Sequence, residues 1–199
     1  MSTRRMADSI SIDQQIGLNG VARTRRISGL ESRERALMKR FINSDYVKLA
    51  VSIVLPLLAG FIGSMSTSKS VGTWYRTLAK PAFNPPDAVF GPVWTTLYVL
   101  MGISLFLVWR KGTAVPAVRL GLVVFAAQIA LNALWSFAFF GMRSPLAGAV
   151  VIVALWNAIL ANIIVFTRVS SWAGVLLVPY ILWVSFATVL NFSIYFLNK

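Results

Sequence analysis

The residues best able to do chemistry in this chain are amides and aromatic rings set at helical spacing. Gln128, Asn132, Trp135 and Phe139 fall at i, i+4, i+7 and i+11, so one face of a helix carries two amides followed by two rings. Trp94 and Tyr98 share a second stripe with Met101 and Leu105, and Tyr180, Trp183, Ala187 and Asn191 share a third. Trp156, Asn157 and Asn162 add a further polar and aromatic group. Amides in apolar surroundings need partners, so these faces point inward. They serve either interhelical hydrogen bonds or a pocket wall, and the residue pattern leaves both open. An uncharged aromatic pocket suits a large, flat, apolar ligand, which gains from stacking and area burial while a few polar groups fix its orientation.

Other chemistries have little to work with. The chain has no cysteine and no histidine. That removes zinc sites, catalytic thiols, disulfides, histidine acid–base work and His-ligated haem. Five of the six acidic residues (Asp8, Asp13, Glu31, Glu34 and Asp45) precede the first apolar segment, and Asp87 is the only carboxylate after residue 45. Paired-carboxylate catalysis, acidic proton relays and carboxylate metal cages are therefore disfavoured. No metal site is expected.

The elements that must position these groups are membrane helices. Hydrophobic residues make up 57% of the chain and charged residues 13%, and the mean hydropathy is +0.73. Five apolar segments, at about 46–66, 88–109, 119–141, 145–167 and 172–197, are each long enough to cross a bilayer. This predicts an all-α integral, multi-pass membrane protein, a five-helix bundle over residues 46–199. Its links are short except the first, residues 67–87, which is free to fold over one end. Pro81, Pro85 and Pro86 keep that link irregular. Small residues at helical spacing (Gly60 and Ser64; Ala126, Ala130 and Ala133; Ala154, Ala158 and Ala161) predict close helix packing within the bundle or at a dimer interface.

Residues 1–45 carry nine Lys/Arg and read as a basic, disordered tail, with LESRERALMKRFI as a short surface helix on anionic lipid. Met38 offers an alternative start. The net charge of +13 does not point to nucleic acid, because the basic residues lie in the tail and at span ends. Lys39, Arg40, Lys48, Arg110, Lys111, Arg119 and Arg168 on one side, against Lys69, Arg76, Lys80, Arg143 and Lys199 on the other, predict a cytoplasmic N-terminus.

The ordered motifs WYRTLAKPAFNPP (74–86), FGPVWTTLYVLMG (90–102), AQIALNALWSFAFFG (127–141), WAGVLLVPYILW (172–183) and FATVLNF (186–192) resemble the TspO/translocator-protein family of tryptophan-rich sensory proteins, also called peripheral benzodiazepine receptors. The resemblance covers nearly everything from residue 46 onward. It implies a five-helix bundle, often a homodimer, whose first loop closes over a pocket for porphyrins, cholesterol and other sterols, and synthetic benzodiazepine-receptor ligands. It implies loop residues Trp74, Pro81, Asn84 and Pro86, with Phe83 at a position where many members carry Trp, and pocket residues Phe90, Trp94, Tyr98, Asn132, Trp135 and Trp183. The expected ligand is protoporphyrin or a related tetrapyrrole, with no cofactor required. The alternative it carries is an enzyme that degrades protoporphyrin in light and oxygen, with Trp94 and Trp183 as the redox partners. The sterol pattern drawn on the last helix fits as Val189, Tyr195 and Lys199, but Phe192-Ser193 stands where the family has an aromatic pair.

Overall fold

The computed structural model describes residues 44–199, and Lys48–Lys199 form one compact unit. The expected tail and its surface helix lie outside the described residues, apart from the last two positions. Five helices in this region are long and apolar enough to cross a membrane. The protein is an integral, multi-pass membrane protein of the all-α class.

Helix α1 is Asp45–Val71, α2 is the short Trp74–Thr77, and α3 is Asp87–Trp109. Helix α4 is Pro116–Ser136 and continues as a π-helical turn over Phe137–Gly141. Helix α5 is Pro145–Val169, and the last span is built from α6 (Ser171–Leu176) and α7 (Val178–Leu197). The first span runs five residues past its expected end at 66, because the polar stretch from Ser66 to Ser70 still satisfies its backbone as helix. The 67–87 link accordingly holds the end of α1, the single turn of α2 and an irregular stretch through the proline triplet. The last span breaks at Leu177, two residues before Pro179, whose ring and missing N–H are tolerated at a helix start.

The segments become these helices because each is a long apolar run whose backbone must satisfy itself in lipid. Prolines mark the starts: Pro116, Pro145 and Pro179 occupy the first helical positions. Ser144 accepts the Ala147 N–H at 3.1 Å and caps α5. Arg143, with φ +51°, turns the chain between α4 and α5.

Helices α4 and α5 pack through Phe125 and Phe166, whose rings stack at 6.0 Å. The Ser104 hydroxyl donates to the Ala173 carbonyl at 2.7 Å, tying α3 to α6. Helix α1 is the least buried span. It meets α3 where Gly102 has no side chain: a Cβ there would come within 2.7 Å of the Ile53 Cα. The small residues of α4 and α5 behave otherwise than the in-bundle reading expects. Ala126, Ala130, Ala154 and Ala161 are exposed on the outer surface, because the larger Phe125, Ile129, Leu155 and Ile159 take the inward positions where area burial gains most.

Candidate functional site

A cavity of about 410 Å³ opens between α1, α3 and the end of α4, beneath α2. Its walls follow helical spacing. From α1 come Leu57, Gly60, Phe61, Ser64, Thr67 and Val71; from α3 come Asp87, Phe90, Gly91, Trp94, Thr95 and Tyr98. Trp135, Ser136 and Phe140 of α4 and Tyr75 of α2 complete it. Asp87, Gly91, Trp94 and Tyr98 stand at i, i+4, i+7 and i+11, one stripe of a single helix.

The aromatic rings form a continuous stack. Tyr98 stacks on Trp94 at 5.5 Å, Trp94 on Trp135 at 6.4 Å, and Trp135 on Phe139 at 5.7 Å. Trp74 meets Phe139 edge-on at 5.7 Å, and Tyr75 lies 5.6 Å from Phe140. The π-helical turn explains how Ala138, Phe139 and Phe140 are all buried in succession. An α-helix would turn one of three consecutive residues away, and the wider turn keeps Phe140 on the cavity and Phe139 packed behind its wall.

Amides hold this stack from behind. Tyr98 donates its O–H to Asn132 Oδ1 at 2.9 Å, and Asn132 Nδ2 donates to the Tyr180 hydroxyl at 3.0 Å. Trp135 Nε1 donates to Asn191 Oδ1 at 3.1 Å, while Asn191 Nδ2 donates to the Pro145 carbonyl at 2.8 Å. Asn132, Tyr180 and Asn191 are almost wholly buried and do not line the cavity. They orient the rings that do. Gln128 lies deeper, its Nε2 3.6 Å from Met101 Sδ, and Ala187 is part of the central core.

The long loop is tied down at several points. Ser70 donates to the Phe140 carbonyl at 2.7 Å, and Tyr75 donates to Asn84 Oδ1 at 3.0 Å. Pro81 accepts the Asn84 N–H in a turn at 3.0 Å. Asn198 engages both backbone groups of Ala79, accepting its N–H and donating to its carbonyl, each at 2.9 Å. Burial, with the negative charge of Asp87 adding to it, pushes the Tyr75 phenol up to about 12. The phenol therefore stays a donor at neutral pH.

Of the residues expected at a site, Phe90, Trp94, Tyr98 and Trp135 line the cavity, with Trp74 and Phe139 packed behind its aromatic wall. Trp183 is elsewhere. It lines an open groove between α3 and α7 with Pro92, Leu97 and Phe186. Phe90 stands between the two sites, lining the cavity while its ring lies 5.9 Å from Trp183. Phe83 belongs to the groove side, 6.2 Å from Phe186 and half exposed. Trp94 and Trp183 thus do not share one wall.

Sequence reasoning missed the whole α1 wall, along with Tyr75, Asp87, Phe140 and Asn198. A signal for α1 was present: Gly60, Ser64, Thr67 and Val71 recur at i, i+4, i+7 and i+11, a small and polar stripe on an apolar helix. Gly60 in particular is filled by its neighbour, since a Cβ there would collide with the edge of the Tyr98 ring.

The profile of the TspO/MBR family matches residues 52–197. The chain belongs to the TspO/MBR family. It is 50% identical over 157 residues to the tryptophan-rich protein TspO of Chlorobaculum tepidum, covering 79% of this chain and 99% of that protein. It is 46% identical to the tryptophan-rich protein TspO of Archaeoglobus fulgidus over 158 residues, or 77% and 99% of the two chains. With the human translocator protein it shares 38% over 143 residues, or 70% of this chain and 85% of that one. The family match thus spans all five membrane helices and the loop over the cavity, and the cavity is this TspO/MBR protein's candidate site.

Proposed function

We propose that the protein takes up a porphyrin-type tetrapyrrole from the bilayer and holds it in the cavity, acting as a sensor or translocator, with sterols as further apolar ligands. The observation that carries this reading is the Tyr98, Trp94 and Trp135 stack, at 5.5 and 6.4 Å, exposed along a cavity of about 410 Å³. That volume is within the range of small-molecule sites, and flat rings on a flat ligand gain both area and stacking energy. The curated names sensory protein, used in Cereibacter sphaeroides, and translocator protein, used in human, fit such a role. The lack of histidine favours free-base porphyrin over axially ligated haem. The basic tail favours a cytoplasmic N-terminus, and the outward Ala126 and Ala130 suit a homodimer.

Titration of the purified full chain with protoporphyrin tests the reading. Tryptophan fluorescence is expected to quench saturably. Trp94→Phe with Trp135→Phe removes most of the quenching, whereas Trp183→Phe leaves the binding curve in place. Absence of saturable quenching, or loss of binding in Trp183→Phe alone, overturns it.

A further inference from the structure

We propose that Gln128 and Asn162 form a binding site for one internal water, which bridges α4 to α5 inside the bundle. Neither residue lines the cavity or the groove.

Both side chains are fully buried. Asn162 has no hydrogen-bond partner for either amide atom, and Gln128 has none for Oε1. Gln128 Nε2 is turned toward α3, where it meets the Met101 sulfur at 3.6 Å, a weak acceptor. A packed interior carries such polar atoms only where something polar meets them. The buried neighbours along the two helices, Phe125, Ile159 and Phe166, are apolar and supply nothing.

The register of the two helices brings these amides to one height. Phe125 of α4 stacks on Phe166 of α5, and Gly148 stands against Phe139, so residue numbers fall along α5 as they rise along α4. From the stacked pair, Gln128 lies three residues on and Asn162 four residues back, about 4.5 and about 6 Å in the same direction. The faces agree as well. Gly121, seven residues before Gln128 and on its stripe, meets Phe166 and Val165, while Asn162 shares a stripe with Phe166. Both amides therefore lie on the contact between α4 and α5.

One water matches the three unpaired atoms. It donates to Gln128 Oε1 and Asn162 Oδ1 and accepts from Asn162 Nδ2, three bonds being the usual number for a buried water. The competing arrangement is a direct amide pair, in which Asn162 Nδ2 donates to Gln128 Oε1 and the second hydrogen of Gln128 Nε2 goes to Asn162 Oδ1. One turn along α4, Asn132 already joins Tyr98 to Tyr180. The water adds a second polar layer behind the aromatic wall.

Water-edited solid-state NMR of the full chain in bilayers of deuterated lipid tests the site. Asparagine and glutamine are isotopically labelled, and Gln128→Met and Asn162→Leu assign the two side-chain signals by their loss. Magnetisation is expected to pass from water to both amides in the unaltered chain. Transfer to neither, transfer to only one, or a close amide–amide contact without water transfer overturns the proposal. Asn162→Leu is expected to abolish transfer to Gln128 and to lower Tm by leaving Oε1 unpaired. Adding Gln128→Met recovers most of that loss, because the apolar pair leaves no polar atom behind. Tm losses that simply add, or transfer to Gln128 that persists in Asn162→Leu, show two separate amides and overturn the bridge.

Discussion

At the scale of single residues, the amides and the rings divide the work. The sequence pattern gathers Asn132, Trp135, Tyr180 and Asn191 on inward faces, and the structure then separates the ring that meets the cavity from the groups that hold it. Trp135 is fixed because its indole N–H has one buried acceptor, Asn191, which is itself anchored on Pro145. Asn191→Leu removes that acceptor and leaves Trp135 Nε1 unpaired, while the Pro145 carbonyl keeps its place in the first turn of α5. The expected cost is about 1–3 kcal/mol for the indole N–H left unsatisfied, measured by thermal unfolding in detergent, together with a red-shifted or broadened tryptophan emission as Trp135 loosens. Unchanged stability and emission would show that Trp135 is held by ring packing alone. Spacing alone does not distinguish Asn132, which bonds Tyr98 and Tyr180, from a ligand-contacting amide, because both roles need an inward amide beside aromatics.

At the scale of elements, the loop between α1 and α3 is held at its two ends by different parts of the bundle. Ser70 bonds the π-helical end of α4, and Asn198 pairs with both backbone groups of Ala79 from the last residues of α7. A side-chain amide matched to the N–H and C=O of one residue is a latch of two hydrogen bonds, worth roughly 1–3 kcal/mol in all. Asn198→Ala therefore releases the 78–86 stretch more than it destabilises the bundle. Amide hydrogen exchange is expected to rise in that stretch, with porphyrin dissociation accelerated several-fold and the exchange of α5 unchanged. If the exchange rise spreads into α5, Asn198 supports the fold and not the loop. The prolines at 81, 85 and 86 announce an irregular loop in the sequence, but nothing local couples residue 79 to residue 198. Only the return of α7 to that end of the bundle brings them together. The π-helical turn at Phe137–Gly141 is similarly unannounced, since the wider turn answers to the packing of Phe139 and Phe140 against Trp135, Trp74 and Tyr75.

At the scale of the whole molecule, α1 is the least buried span and yet supplies as many residues of the cavity wall as α3. A ligand in the cavity adds contacts between α1 and the rest of the bundle, so it stabilises the folded state by mass action. Protoporphyrin at a hundredfold excess over its Kd is expected to add about 2.7 kcal/mol, read as a rise in Tm, with α1 showing the largest drop in hydrogen exchange. A Tm rise without protection of α1 would place the ligand in the groove beside Trp183 instead. The sequence by itself determined the membrane class, the five spans and the aromatic and amide stripes, because lipid forces every span into a helix and helical spacing then dictates which residues share a face. It also left no cysteine or histidine for thiol or imidazole chemistry. The tertiary structure alone decided which stripes meet. It set Trp94 against Trp135 and the small stripe of α1, put Trp183 behind Phe90 on another surface, turned Ala126, Ala130, Ala154 and Ala161 outward, and brought Asp87 to the mouth of the aromatic cavity. The reason is that a stripe records only the direction of a side chain from its own helix, and the partner across the gap follows from how five helices pack, which no local spacing contains.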